Sequence, residues 1–424
     1  MHKLFLPLAF AAFAIPHVSA QQSLSDDSAA YPAPTVESTG PLSLPAALAL
    51  AMRANPEIAV AAREVDALDG NVLQAGVIPN PSISASVDDT RQATRTTTVQ
   101  INVPIELGGK RSARMTAAER GRDAAMIDLA GKRSEIRAVV VAAFYELMTA
   151  QEQLQLATAS SELAQRATNV AAKRVLAGKV SPVEETRARV AEANVRSKLA
   201  LAASDVQSAR RRLAATWGSV TPRFEQAVDT EQSLPAVPAF DQLAQQLQQS
   251  PGLARARIEV DRRRALAGVE RSRQMPDLTL SFGAKRDEQL GRNQAIVGVS
   301  IPLPIFDRNQ GNLLEALRRT DKARDELFAT EVRLNSELAQ AYDRLGAARQ
   351  EVTLLKQEIL PGAQSAYDAT TKGFEFGKFS FLEVLDAQRT FFQARFQYLR
   401  ALAETHRAAT DIERLLGAPF PPIK

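Results

Sequence analysis

From Lys110 to Ala177 the apolar positions recur every seven residues, through Ile136, Ala143, Ala150, Ala157, Ala164 and Ala171, with Val140, Leu147 and Leu154 four places behind the first three. Over about 68 residues without a proline, that spacing predicts one α-helix of roughly 100 Å, supercoiled left-handedly against helical neighbours. Alanine along one line of the seam lets the backbones approach closely. No compact domain holds a helix of this length, so the rest of the chain has to supply its neighbours.

Ahead of the rod the period changes to two. Ile83, Ala85 and Val87 alternate with Ser82, Ser84 and Ser86, and after the polar link Asp88–Arg95, Val99, Ile101 and Val103 alternate with Thr98, Gln100 and Asn102. This predicts a strand hairpin over 82–105 with one apolar and one polar face. An amphipathic helix precedes it from Ser43 to Gln74, interrupted at Asn55-Pro56, where proline restricts the residue before it. Pro79-Asn80-Pro81 stops that helix, and Pro104 with Gly108-Gly109 releases the chain into the rod. The rod ends at Gly178; a further helix opens at Ser181-Pro182-Val183-Glu184 and runs to Trp217.

The same plan then repeats. Asn55-Pro56 corresponds to Ser250-Pro251, Pro81 to Pro276, Pro104 to Pro302, Gly178 to Gly377 and Gly218 to Gly417, at offsets drifting only from 195 to 199 residues. Such register across five landmarks marks an internal duplication. The second hairpin, over 277–303, carries Leu278, Leu280 and Phe282, then Ala295, Val297, Val299 and Ile301. The second rod, from Asn312 to Lys372, has Leu334, Ala341, Ala348, Leu355 and Ala369 on one line and Leu338, Leu345, Val352, Ile359 and Ala366 on the other. Pro361 and Gly362 interrupt it, so a kink or a local loosening is expected there. The organisation is thus a first repeat at 42–218, a linker at 219–239, a second repeat at 240–418 and a tail at 419–424.

The chain opens with Met1-His2-Lys3, an apolar run from Leu4 to Ile15 and Val18-Ser19-Ala20. These are the parts of a signal peptide over 1–20, and they predict export. Residues 21–41, mostly Ser, Asp, Ala and Pro, have little to bury and are expected to form a flexible leader. No later run reaches the roughly 18 apolar residues of a membrane-spanning helix. A bilayer crossing therefore falls to the strands, four per protomer and each roughly ten residues long. Open strand edges are not stable in lipid. The strands therefore have to close with those of other copies. The expected fold is mainly α with a small β part, a duplicated α-barrel of long helices, and three protomers would close a 12-stranded barrel, within the range of outer-membrane barrels.

Composition agrees and narrows the chemistry. Aromatic residues make up only 5% of the 424, which suits extended helices better than a large globular core. The net charge of +4 is small for this length, and the triplets Arg210–Arg212 and Arg262–Arg264 read as solvated helix faces, with no nucleic-acid partner. There is no cysteine, which excludes disulfides, thiolate metal sites and lipid attachment at an N-terminal cysteine. His2 and His17 leave with the signal, and His406 alone does not make a metal site. No phosphate-cradling glycine loop and no serine, histidine and acid set is present. The reading is a protein that is not an enzyme and needs no cofactor.

The duplicated plan, the Pro79-Asn80-Pro81 turn, the Ala-Gly-x-x-Ser-Pro-x-Glu turn at Ala177–Glu184 and the stretch Gly377-Lys-Phe-Ser-Phe-Leu-Glu-Val-Leu-Asp-Ala387 resemble the TolC-like outer-membrane efflux ducts over almost all of the mature chain. Ile301-Pro-Leu-Pro-Ile-Phe-Asp-Arg-Asn-Gln-Gly311 is similar to the subgroup serving cobalt-zinc-cadmium and nickel-cobalt resistance. The resemblance implies a trimeric duct in the bacterial outer membrane with a periplasmic helical tunnel. It implies two partners as well, a periplasmic adaptor and a proton-driven inner-membrane pump, and divalent heavy-metal cations as cargo. The same kind of duct serving organic compounds is the alternative, ahead of a periplasmic adaptor or a structural coiled-coil protein.

Carried onto this chain, the resemblance makes the two rod ends the periplasmic mouth. Gly178, Ser181, Pro182, Phe374, Gly377, Phe379 and Ser380 become tip or adaptor-contact residues, and Glu184, Glu383 and Asp386 become acids that narrow the pore. Threefold symmetry would turn each acid into a ring that attracts cations. Phe374 and Phe379 depart from the family's locking tyrosine and arginine, so its closed-state network does not carry over. Ser181-x-x-Glu184 and Ser380-x-x-Glu383 also fit the capping box, with Pro182 at its favoured place, so Glu184 and Glu383 have a purely structural reading too. Asp386 lies beyond the capping turn. Phe391, Phe392 and Phe396 read as core between helices.

Overall fold

The structure, a computed structural model, describes residues 37, 39–89, 91–228, 238–376, 378–379 and 381–418. The signal peptide 1–20, the tail 419–424 and most of the leader lie outside them, as do 229–237 of the linker. Helices α1 (Leu44–Ala54) and α2 (Pro56–Ala75), strands β1 (Ser82–Asp88) and β2 (Thr96–Ile105), and helices α3 (Lys110–Leu176) and α4 (Pro182–Ala215) form the first copy of the plan. The second comprises α5 (Phe240–Leu247), α6 (Pro251–Ser272), β3 (Leu278–Asp287), β4 (Arg292–Ser300), α7 (Gln310–Leu354), α8 (Leu360–Glu375) and α9 (Phe381–Leu416).

The sequence landmarks of the duplication meet in space. Asn55 is buried between α1 and α2; its Oδ1 accepts the Ile58 N–H at 3.0 Å, capping α2, while its amide donates to the Thr216 carbonyl at 2.7 Å. Gly218, at φ 77°, then turns the end of α4 over Pro56. In the second copy Gly417, at φ 75°, lies so close to Pro251 that a Cβ would stand 2.3 Å from its ring.

The rod α3 buries Ile136, Val140, Ala143, Leu147 and Ala150 together with Val206, Ala209 and Leu213 of α4. The second copy repeats this with Leu334, Leu338, Ala341 and Leu345 of α7 and Ala408, Ile412 and Leu415 of α9. Both seams follow the heptad reading down to Leu355. Below it the second one departs: Ile359, Ala366 and Ala369 are exposed, whereas Ala363, Tyr367 and Thr370 are half-buried and Gly373 is buried. The cause is a π-helical turn over Leu355–Ile359, where the Leu360 N–H reaches back five residues to the Leu355 carbonyl. The extra residue moves the packed face on by one position. The interruption expected at Pro361 takes the form of a local loosening, a wider turn just ahead of it, which accommodates a residue with no N–H and a ring that crowds the preceding turn.

The strands form one antiparallel sheet in the order β1-β2-β3-β4. Ile83, Ile101, Phe282 and Val297 stand directly across from one another, flanked by the row Ala85, Val99, Ala284, Ala295 and the shorter row Val103, Leu280, Val299. The opposite face is polar: the Asn102 amide donates to Ser84 Oγ at 3.1 Å, and the Ser281 hydroxyl donates to Asn102 Oδ1 at 2.7 Å. A ten-residue strand such as β2 or β3 spans about 33 Å, or about 24 Å along the membrane normal at a tilt near 45°. Within the chain, β1 and β4 are edges.

Two expectations about polar residues are corrected. The leader does not stay free up to residue 41: Glu37 is buried, accepting the Trp217 indole N–H and the Arg223 backbone N–H, both at 2.6 Å. Leu42 pairs with Ala227 as a parallel bridge. Burial alone would raise the Glu37 pKa, but the hydrogen bonds from Arg223, Trp217 and Ser219 together hold it below the ordinary carboxylate value. The first arginine triplet is not all solvated either, since Arg210 donates to the Phe224 carbonyl and stacks over the Phe224 ring at 5.5 Å. Composition shows a charge run but not the carbonyl that waits for it.

Two arginines of the second triplet, Arg262 and Arg263, converge on one acid. Glu259 on α6 accepts from Arg262 at 2.8 and 3.1 Å, from Arg263 at 2.7 Å and from Arg255 at 3.4 Å. Arg255 also ties α6 to Asp128 of α3 at 2.8 Å. Burial would raise the Glu259 pKa, but Arg262 and Arg263 outweigh it and bring it down to about 2. The folded-state value lies below the unfolded one. The pair's stability is therefore fully present above the ordinary glutamate value of 4.5 and is lost as pH falls toward about 2. Glu259→Gln is expected to cost about 1–2 kcal/mol at pH 7, reduced from the full shift because the guanidiniums are partly exposed. Thermal melts across pH check this: the gap between variant and parent should close on acidification.

Candidate functional site

Both rods end in the same backbone device. Gly178, at φ 68°, follows α3, and the Lys179 N–H returns to the Arg174 carbonyl at 2.9 Å. After α8 the Lys378 N–H returns to the Gly373 carbonyl at 2.7 Å. This six-to-one bond ends a helix while satisfying one of its last carbonyls. At the second tip the Phe379 ring folds back onto Gly373, occupying the place where a Cβ would stand. Gly377 and Ser380 lie outside the described residues, and so does the Phe374 side chain, although its backbone belongs to α8.

At the first tip Ser181 caps α4 by accepting the Val183 N–H at 3.3 Å, and Pro182 takes the first helical position. The capping box does not close. Glu184 pairs instead with Arg187, one turn further on, at 3.4 Å. An exposed carboxylate with an arginine three residues on finds a charged partner on its own helix face. Glu184 is thus a solvent-facing acid at the rod end, and capping does not explain it.

Glu383 lies exposed in the first turn of α9. Asp386 is further out, 72% exposed, with Arg389 at 3.7 Å. The helix wheel places it: Val384, Gln388 and Phe391 are buried, and they form one face at the i, i+4, i+7 spacing. Asp386, about 200° round from Val384 at 100° per residue, points away from that face. Of the three phenylalanines expected in the core, Phe391 is buried and stacks on Tyr367 with centroids 5.8 Å apart. Phe392 and Phe396 instead line a groove of about 620 Å³ with Leu156 and Leu201.

Among the described residues, the rod tips present acids and backbone turns, with nothing arranged to make or break bonds. Among the described residues no three His, Asp or Glu side chains gather as a metal-binding set. His406 stacks on Tyr145, ring centroids 4.3 Å apart. No described helix is long and apolar enough to cross a membrane.

The family model described as outer membrane efflux protein matches residues 47–219 and again 243–418, one match for each copy of the plan. The chain belongs to the outer membrane efflux protein family. It is 51% identical over 418 residues to the cobalt-zinc-cadmium resistance protein CzcC of Cupriavidus metallidurans, covering 98% of this chain and 100% of that protein. It is 28% identical to the nickel-cobalt-cadmium resistance protein NccC of Alcaligenes xylosoxydans xylosoxydans, over 69% of this chain and 68% of the relative. Among solved structures the fold is similar to the Campylobacter jejuni CmeC outer membrane channel, with a TM-score of 0.75 at 16% identity, covering 88% of this chain and 85% of that one. The corresponding figures for CusC are 0.72, 19%, 88% and 92%. Membership sets aside the adaptor and structural coiled-coil readings, and makes this efflux protein a channel component and not an enzyme.

Proposed function

We propose that this efflux protein is the outer-membrane duct of a tripartite pump, adaptor and duct system, exporting divalent heavy-metal cations such as cobalt, zinc, cadmium or nickel. The observation that carries the cargo is the end-to-end likeness to a cobalt-zinc-cadmium resistance protein at 51% identity. The assembly reading stands on the sheet. It has an apolar and a polar face and two unpaired edges, and three copies joined edge to edge give a barrel with lipid outside and water inside. The rods then continue as a periplasmic tunnel whose far end is formed by the Gly178 and Lys378 turns. An adaptor meets the duct there, and an inner-membrane proton-driven pump supplies the energy.

Growth of a deletion strain over a panel of metals and antibiotics tests the cargo. Sensitivity to metals alone, restored by the gene in trans, is the expected outcome; sensitivity to organic drugs alone would assign the duct to them. The acids at the mouth are tested separately. In planar bilayers under a salt gradient, Asp386→Asn is expected to lower the cation preference several-fold, and an unchanged reversal potential would remove Asp386 from the pore.

A further inference from the structure

The stretch Ile301–Gly311, singled out in the sequence, takes no part in the rod tips. It joins β4 to α7, and its centre is held in water: Leu303, Ile305 and Phe306 are 76%, 61% and 90% exposed. Yet the loop is well tied. The Arg308 N–H donates to Gln310 Oε1 at 2.8 Å and the Asn309 N–H to Asp307 Oδ1 at 2.9 Å. The Asn309 amide reaches the Glu270 carbonyl at 2.8 Å, and the Gln274 amide reaches the Arg308 carbonyl at 3.2 Å. A braced loop that presents a bare phenylalanine forms half of a contact.

The other half follows from the duplication. Within the chain, the link that leaves β2 packs on the segment that enters β3. Gly108 lies against Met275, the Leu107 N–H donates to Asp277 at 3.1 Å and Lys110 pairs with Asp277 at 2.7 Å. The link leaving β4 is the duplicate of the first of these elements. The duplicate of the second, at an offset of 195, is the segment entering β1, where Val77 and Ile78 are 50% and 62% exposed, next to Leu73 in the last turn of α2, 76% exposed. In one chain these two patches lie at opposite edges of the sheet. Antiparallel pairing of β4 with β1 of the next copy brings both to the helix-side end of one seam.

We propose that Ile305 and Phe306 of each copy seat on Leu73, Val77 and Ile78 of the next, forming a clasp that locks each subunit seam below the barrel. The clasp rests on the trimeric reading above. It repeats between copies the junction that the chain already makes within itself.

The chain contains no cysteine, which makes the test direct. In outer membranes treated with a mild oxidant, the double variant Ile78→Cys, Phe306→Cys is expected to give covalent dimers and trimers on non-reducing gels, with neither single variant doing so. Phe306→Ala is expected to dissociate from trimer to monomer at a lower temperature with helical content unchanged. Native mass spectrometry of the unmodified protein separates the two levels: a trimer without the 78–306 cross-link overturns the clasp alone, and a monomer overturns the assembly beneath it. Phe306→Trp fluorescence quenched by brominated phospholipid would assign the ring to lipid and also overturn the clasp.

Discussion

Replacing Gly283 with valine is expected to abolish assembly, giving no heat-resistant oligomer in detergent and a metal sensitivity equal to that of the deletion strain. Gly283 stands in β3 between Gln100 of β2 and Ile296 of β4. A Cβ there would lie 2.4 Å from the Val99 carbonyl oxygen and 2.6 Å from the Gln100 Cβ. The first of those atoms is backbone in the adjoining strand and has no rotamer to escape into. Relief therefore requires β2 and β3 to part, and theirs is the pairing that joins the two hairpins into one sheet. Overpacking of this kind costs about 1–3 kcal/mol or more in an ordinary core. In a sheet that must close on itself in lipid, opened backbone pairs add the cost of unsatisfied donors and acceptors. Gly298 supplies the control, because a Cβ there meets only the Ser281 Cβ at 3.6 Å, so Gly298→Ala should assemble normally. Outer-membrane levels of the valine variant matching the parent would disprove the argument.

Much of this architecture was legible in the pattern of apolar positions, and the failures have physical causes. The heptads of α3 and α7 predicted their buried faces because a strict repeat leaves a helix few ways to pack. The period-two runs named both faces of the sheet but not its order, since pairing of β2 with β3 depends on contacts about 180 residues apart. Glu184 fitted a capping box with Ser181, but it also has Arg187 three residues on, and the geometry favours that ion pair. Arg210 looked like a surface charge because the Phe224 carbonyl that receives it comes from the segment after α4. Asp386 stands beyond the capping turn and is exposed, but a pore is a property of symmetry-related copies and is written only once in each chain.

Deleting one residue from the π turn, as ΔGln357 combined with Pro361→Ala, is expected to be tolerated, whereas deleting Ala159 from the unbroken rod α3 is expected to destroy assembly. In a continuous α-helix a one-residue deletion rotates everything beyond it by about 100°. ΔAla159 would therefore turn the seam that includes Ala164 and Ala167, both buried, toward solvent all the way to Gly178. The second rod already holds a surplus residue. Its upper seam runs 198 residues behind that of the first rod, as Ile136 and Leu334 or Val140 and Leu338 show, yet the rod-end glycines Gly178 and Gly377 are 199 apart. The five-residue reach from Leu360 to Leu355 absorbs the difference. Removing it, together with the proline that a regular turn would not accommodate, leaves the face below in place, so Tyr367 still meets Phe391 and Phe392. Restored metal resistance and a heat-resistant oligomer from the first variant, with neither from ΔAla159, is the expected pair of results. Equal damage from both would show that the turn is not a spare residue but a conformation the duct requires, consistent with the tendency of π turns to mark functional positions in long helices.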